Sequence, residues 1–305
     1  MDNIQKKLLQ EIADLHEIPE GAYNIRANGE SAARNTTANI DIVTKEDKSG
    51  IDIIIKPGTV KQSVHIPVII SESGITEVVY NDFYIGEGSD VTIIAGCGIH
   101  NCGTDMSKHD GIHTFHIGKG AKIRYVEKHY GDGDGIGGRV MNPSTVIYMD
   151  ENSEMEMETT QIKGIDSTIR DTKATLAAGA SLVVKEKIMT HGEQRAETDF
   201  TVDLNGEHCS ANIISRSVAK GKSYQVFRSN IRGNGACAGH SECDAIIMDE
   251  AQVSAIPEIV ANSPEASLIH EAAIGKIAGE QLIKLMTLGL TEAEAEEQIV
   301  NGFLA

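Results

Sequence analysis

Three stretches of this sequence gather side chains that ligate metals or attack electrophiles. The first, CGIHNCGTDMSKHDGIHTFH from Cys97, brings together Cys97, His100, Cys102, His109, His113 and His116, and thiolate and imidazole are ligands for zinc or iron. Its spacing fits no standard zinc pattern, and a strand would send His113 and His116 to opposite faces. Stacked strand positions or a polar surface are the expectation, with sulfur or iron handling an open alternative. The second, HYGDGDGIGG from His129, is glycine-rich and acidic. It lacks the lysine of a phosphate loop and does not recur as calcium-binding repeats do, so it is expected to be a turn between coils. The third places Cys237, His240 and Cys243 close together. Without a second such pair, Cys237 reads as structural. On spacing alone, Cys243 reads as a small buried hydrophobe and Glu271, after His270, as an acidic charge near a helix N-terminus.

The elements that must position these residues read as mainly β. The chain of 305 residues carries 30 Gly, no Trp and 4% aromatic residues, a profile of short strands and tight turns. Small-residue turns centred on Gly58, Gly88, Gly120, Asn152, Gly179 and Gly206 each precede an alternating strand. Their spacing of roughly 27 to 32 residues lies in the range of solenoid coils. Stacked coils burying one face of every strand are therefore expected, with a β-sandwich as the competing architecture. Ile4, Leu8, Leu9, Ile12 and Leu15 stand at helical spacing, which predicts a short N-terminal helix. Pro264 to Leu288 is rich in helix formers, Gly289 is a stop, and Thr291 with Glu294 forms a capping box for a second helix through Val300. This gives an N-terminal helical or extended segment over 1–37, a coiled β core over 38–262 and a helical hairpin over 263–305.

A net charge of -18 opposes encounter with nucleic acid or anionic lipid. No apolar run reaches the roughly 18 to 20 residues of a membrane span, and the charged N-terminus lacks a signal-peptide centre. A cytoplasmic protein follows. The five cysteines, an odd number, suit thiols or ligands better than a disulfide framework. No G-x-x-x-x-G-K-[ST] loop is present, so the chain does not itself bind ATP through that motif.

The segment HEAAIGKIAGEQLIKLMTLGLTEAEAEEQIVNGFLA from His270 strongly resembles the end of SufB and SufD proteins, and ISRSVAKGKSYQVFRSNI from Ile214 with ECDAIIMDE from Glu242 resembles their last coils. The resemblance runs from about residue 80 to the C-terminus. It implies a right-handed parallel β-helix, dimerisation through that β-helix, either as a homodimer or as a SufB/SufD-type heterodimer, and helical ends that grip a SufC-type ATPase. It further implies a scaffold without catalytic residues, which assembles an iron–sulfur cluster for recipient apoproteins. Cys243 matches the family cysteine near the dimer interface, and His270 and Glu271 match the family's His-Glu positions. The resemblance thus makes Cys243, His270 and Glu271 the expected ligands of the transient cluster, with the dimer doubling their number.

One departure stands out. The family's sulfur-accepting cysteine would fall near Val146 to Met149, where this sequence has none. Another thiol such as Cys97 or Cys209 would then take the sulfur, or free sulfide would serve. The departure also leaves room for a SufD-like auxiliary without its own cluster. β-Helix carbohydrate-active enzymes are a further alternative, disfavoured by the scarcity of aromatic platforms, and a purely structural protein is another.

Overall fold

The computed structural model describes residues 1–304. Helix α1 (Asn3–Ala13) is followed by four short strands, β1 (Ala22–Ala27), β2 (Glu30–Asn35), β3 (Ile40–Thr44) and β4 (Gly50–Ile55). Longer strands come next: β5 (Val60–Ile70), β6 (Thr76–Ile85), β7 (Asp90–His100), β8 (Ser107–Ile117) and β9 (Lys122–Asp132), then a split pair, β10 (Arg139–Met141) and β11 (Ser144–Met149). The regular coils are β12 (Glu154–Lys163), β13 (Ser167–Leu176), β14 (Ser181–Thr190), β15 (Arg195–Leu204), β16 (Ser210–Ala219), β17 (Tyr224–Gly233), β18 (Ala238–Ile247), β19 (Gln252–Ala261) and β20 (Ser267–Gly275). Helices α2 (Gly279–Thr287) and α3 (Glu292–Leu304) follow.

From β4 onward successive strands alternate between two facing sheets, one ordered β2-β1-β5-β7-β9-β12-β14-β16-β18-β20 and the other β19-β17-β15-β13-β10-β8-β6-β4-β3, with β11 alongside β8 and β13. Among the described residues every pairing between coils is parallel, and antiparallel pairing occurs only at the N-terminal end, between β1 and β2 and between β3 and β4. This is the expected parallel β-helix, of about eight turns. The alternative of a sandwich is excluded, since a sandwich pairs antiparallel neighbours.

The sequence dictates this through its period of two. In β13, β15 and β16 every second side chain is buried, and because the coils stack in register each inward residue lies on the inward residue of the next coil. One such column runs Ile53, Phe83, Phe115, Ile147, Ala174, Val202 and Ile231. Within it the rings of Phe83 and Phe115 are stacked at 4.3 Å. The turns stack as well, each placing a residue in the left-handed region: Gly58, Gly88, Gly120, Asn152, Gly179 and, last, His208 at φ 59°. The sixth position is thus His208 and not Gly206, a shift invisible in the sequence because His is not a turn signal.

Helix α1 lies on the outer face of β5, β7 and β9, burying Leu8, Leu9 and Ile12, as its spacing predicts. Gly96 and Gly98 on β7 make room, since a Cβ at either would meet Ile12 or Leu8 at about 3.1 Å. The C-terminal region departs from expectation. Instead of one helix from Pro264, the chain first runs as strand β20, in register with β18 from Ser267 to Gly275, so backbone pairing to an exposed ladder overrides the helix propensity of Ala and Glu. Only then does α2 form. The capping box of α3 is present, with Thr291 N–H donating to Glu294 at 2.8 Å and Glu294 N–H to the Thr291 hydroxyl at 3.3 Å. Among the described residues no helix is long and apolar enough to cross a membrane.

The interior is not wholly apolar. Asn81 donates to His113 Nε2 at 3.4 Å, His113 Nδ1 pairs with the Tyr125 hydroxyl at 2.9 Å, and that hydroxyl donates to Glu127 at 3.1 Å. Arg170 then donates to Glu127 at 2.7 Å and lies 3.6 Å from Glu186, which accepts from Thr198 and Ser215. Burial pushes both carboxyls up. For Glu127 the charges of His129 and Arg170 more than offset it and hold the group well below the ordinary range, whereas Glu186 stays raised. Burial lowers His113 to about 4 and lowers His65 as well. A neutral His113 that accepts at Nε2 and donates at Nδ1 satisfies both neighbours. A group kept neutral in this way contributes stability in full above its ordinary value of 6.5 and loses it as pH falls toward about 4. Acidification across that interval is expected to cost up to about 3 kcal/mol through His113, visible as a falling thermal midpoint. His113→Gln is expected to flatten that fall, and an acid-insensitive wild-type midpoint would contradict it.

Candidate functional site

The expected ligands lie on the last two strands of one sheet, Cys243 on β18 and His270 and Glu271 on β20. Strand alternation puts Ser241, Cys243 and Ala245 of β18 inside and His240, Glu242 and Asp244 outside. Register carries this across to β20, where His270 pairs with Ser241, Glu271 with Glu242 and Ala272 with Cys243. Cys243 and His270 therefore share the inner face, and Glu271 stands on the outer one. A single metal centre cannot take both Cys243 and Glu271 without a rearrangement of the sheet between them.

On the inner half the thiol is buried. Cys243 is 1% exposed within the main apolar core, and burial, then the charges of Glu186 and Asp244, push its thiol up to about 12. Burial, with the nearby His240, lowers His270. The His270 Nδ1 and the Ser241 hydroxyl are buried without a hydrogen-bond partner, so this face holds polar capacity that the coil itself leaves unused.

The outer half is a convergent trio. One ligand atom each from His240, Glu242 and Glu271 lies within 4.8 Å of the others. His240 Nε2 is 3.3 Å from Glu271 Oε2, and its Nδ1 faces Asn212 Oδ1 at 2.9 Å, which orients the ring as second ligand-holding groups do. Burial, a hydrogen bond to Asp244 and the charge of Asp244 push the Glu242 carboxyl up. A nearby divalent cation would relieve that crowding of acids, and imidazole with carboxylate suits ferrous iron. The sequence reading missed His240 and Glu242 as partners of Glu271. Their i, i+2 spacing is in the sequence, but Glu271 lies 29 residues from Glu242 and joins them only through the β18–β20 register.

The histidine-rich stretch from Cys97 does not form one site. His113 and His116 point to opposite faces of β8, inside and outside, as alternation requires. His109 pairs with Glu77 at 3.1 Å and Cys97 is buried, while His116 stacks outside between Tyr84 and Tyr148 at 5.0 and 5.4 Å. Cys237 is buried in the core, as expected for a structural cysteine.

Residues 70–303 match the SufBD core domain of the SUF system for iron–sulfur cluster assembly. The chain is 30% identical over 264 residues to the iron–sulfur cluster assembly SufBD family protein of Methanocaldococcus jannaschii, covering 85% of this chain and 82% of that one. Against the SufBD family protein of Archaeoglobus fulgidus it is 31% identical over 264 residues, 85% of this chain and 69% of the other. A third relative, from Methanothermobacter thermautotrophicus, is 31% identical over 247 residues, 78% of this chain but 58% of that longer protein. A matching core domain over most of the chain, relatives at this identity and a parallel β-helix agree, and the chain belongs to the SufBD family of iron–sulfur cluster assembly proteins.

Proposed function

We propose that the protein is a cytoplasmic, non-catalytic scaffold on which an iron–sulfur cluster is built beside a SufC-type ATPase, for transfer to recipient apoproteins. The observation that carries this reading is the terminal coil, which bears a thiol and an imidazole on its inner face and a His-Glu-Glu trio on its outer one. The outer trio receives iron through nitrogen and oxygen. Cys243 anchors the cluster once the coil opens, because a thiol at about 12 ligates only when a metal displaces its proton. Reconstitution under anaerobic conditions is expected to give a cluster chromophore that Cys243→Ser removes almost entirely and Cys237→Ser leaves in place. Glu271→Ala is expected to weaken iron retention less than Cys243→Ser. Full cluster on Cys243→Ser would place the site elsewhere. A buried thiol also favours a second reading, a SufD-like auxiliary, and absence of any chromophore on wild type alone would support it.

A second copy of the chain completes the site. Strands β19 and β20 are unpaired sheet edges, and Ile256, Ile259, Ile269 and Ile274 on them are 39–53% exposed, a surface that invites strand pairing. A dimer across this end sets two Cys243 thiols about one axis. Light scattering is expected to give a dimer mass at micromolar concentration, and Ile259→Lys with Ile269→Lys a monomer. A wild-type monomer would count against the arrangement.

The ATPase docks on the C-terminal helices. Helix α3 is pinned by Val300 and Leu304 against Val218, whereas α2 buries nothing and leaves Ile283 62% and Leu288 77% exposed. Ile283→Asp with Leu288→Asp is expected to abolish ATPase binding in calorimetry without lowering the thermal midpoint. Unchanged affinity would refute the docking face.

A further inference from the structure

Of the five cysteines, only Cys102 is exposed, and it is not alone. Its Sγ lies 3.0 Å from His100 Nε2, and His100 Nδ1 lies 3.9 Å from Asp132 Oδ2. His100 and Asp132 end β7 and β9 as direct register partners, so the sheet itself fixes imidazole against carboxylate. Lys7 of α1 pairs with the same Asp132 carboxylate and, by that hydrogen bond first, holds it below its ordinary range. The imidazole spans between thiol and carboxylate, one nitrogen to each. The thiol is within hydrogen-bond reach of the base and the carboxylate stands behind the base at ion-pair distance; a metal claw needs its donors to converge on one point.

The glycine-rich stretch after His129 has its role here. Gly135 N–H donates to the Asn101 carbonyl at 3.1 Å and Gly137 N–H to the Gly103 carbonyl at 2.9 Å, pressing the two loops together. A Cβ at Gly135 would come within 2.5 Å of the Cys102 carbonyl carbon, and one at Gly137 within 2.2 Å of the Asp105 carbonyl oxygen. Gly103 N–H is engaged by the Asn101 side chain at 3.0 Å. With the amides of Gly103, Gly135 and Gly137 all occupied, these three offer no donor for the oxyanion of an acyl transfer. A sulfur electrophile needs none, since its leaving group is a thiolate.

We infer that Cys102 is a reactive thiol, activated by His100 and positioned by Asp132, that accepts sulfane sulfur from a persulfide. His100 Nε2 takes the thiol proton. The Cys102 thiolate attacks the terminal sulfur of the donor R–S–SH, an S–S bond to Cys102 forms as the donor's S–S bond breaks, and R–S⁻ leaves with the proton from His100. The products are Cys102–S–SH and R–SH, with no external oxidant or reductant. Cys97 and Cys209, 2% and 1% exposed, are closed to such a donor. As the sulfur side of cluster assembly this rests on the scaffold reading, but the step itself is read on cluster-free protein.

The test treats reduced, cluster-free protein with glutathione persulfide, quenches with iodoacetamide and locates the added sulfur by peptide mass spectrometry. Sulfur is expected on Cys102 and not on the four buried cysteines. His100→Ala is expected to slow labelling roughly tenfold, with added imidazole restoring part of the rate and an unchanged thermal midpoint showing intact folding. Asp132→Asn should slow it less, and Asp132→Glu should retain it. Labelling of Cys102 no faster in the native than in the urea-unfolded chain, or at the wild-type rate in His100→Ala, overturns the inference. Reconstitution with inorganic sulfide bypasses the step, so Cys102→Ser is expected to build cluster as wild type does. Failure of wild type in that assay sinks the scaffold reading and leaves the labelling result standing.

Discussion

The parallel backbone ladders from β4 to β19 and from β1 to β20 hold each residue above its counterpart in the coil below. A one-residue slip in any coil would turn its inward side chains out to water, removing burial of about 1.5–3 kcal/mol for each large apolar side chain. Phe83, Phe115 and Phe200 are each 2% exposed or less, so register is fixed by the interior as firmly as by hydrogen bonds. The turns obey the same rule, since a left-handed residue recurs at one place in each stacked turn.

Within that frame the interior changes character along its length. One stretch is filled by aliphatic and aromatic columns, and another by Glu127, Arg170 and Glu186, all 3% exposed or less. An isolated charge there would cost several kcal/mol, and only the ordered sequence of donors and acceptors from Asn81 to Ser215 makes it tolerable. Cys243 lies near the end of this polar line and feels the charge of Glu186. The same burial that keeps the fold stable keeps that thiol protonated.

The two chemically distinctive regions occur where stacking stops or is interrupted. Strands β19 and β20 have no neighbour on their outer edges, which leaves their isoleucines exposed, and at the same end the Ser241 hydroxyl and His270 Nδ1 are unpaired. At the ends of β7 and β9 the chain leaves the ladder for the Cys102 and glycine-rich loops, and α1 covers the adjoining face.

The sequence by itself determined the period-two burial, the recurrent turns, the N-terminal helix, the capping box of α3 and the likeness to SufB and SufD that singled out Cys243, His270 and Glu271. All of these are carried by neighbours along the chain, where local sterics and alternation act. Tertiary structure alone decided that residues 267–275 add a strand before any helix, that Cys243 and Glu271 face opposite sides of one sheet, and that His240 and Glu242 are the partners Glu271 meets. It also decided that His100 faces Asp132 and that the glycine-rich turn braces Cys102. Each of these depends on the register between strands about one coil apart, and register is set by the summed packing of every coil, a quantity no local stretch of residues contains.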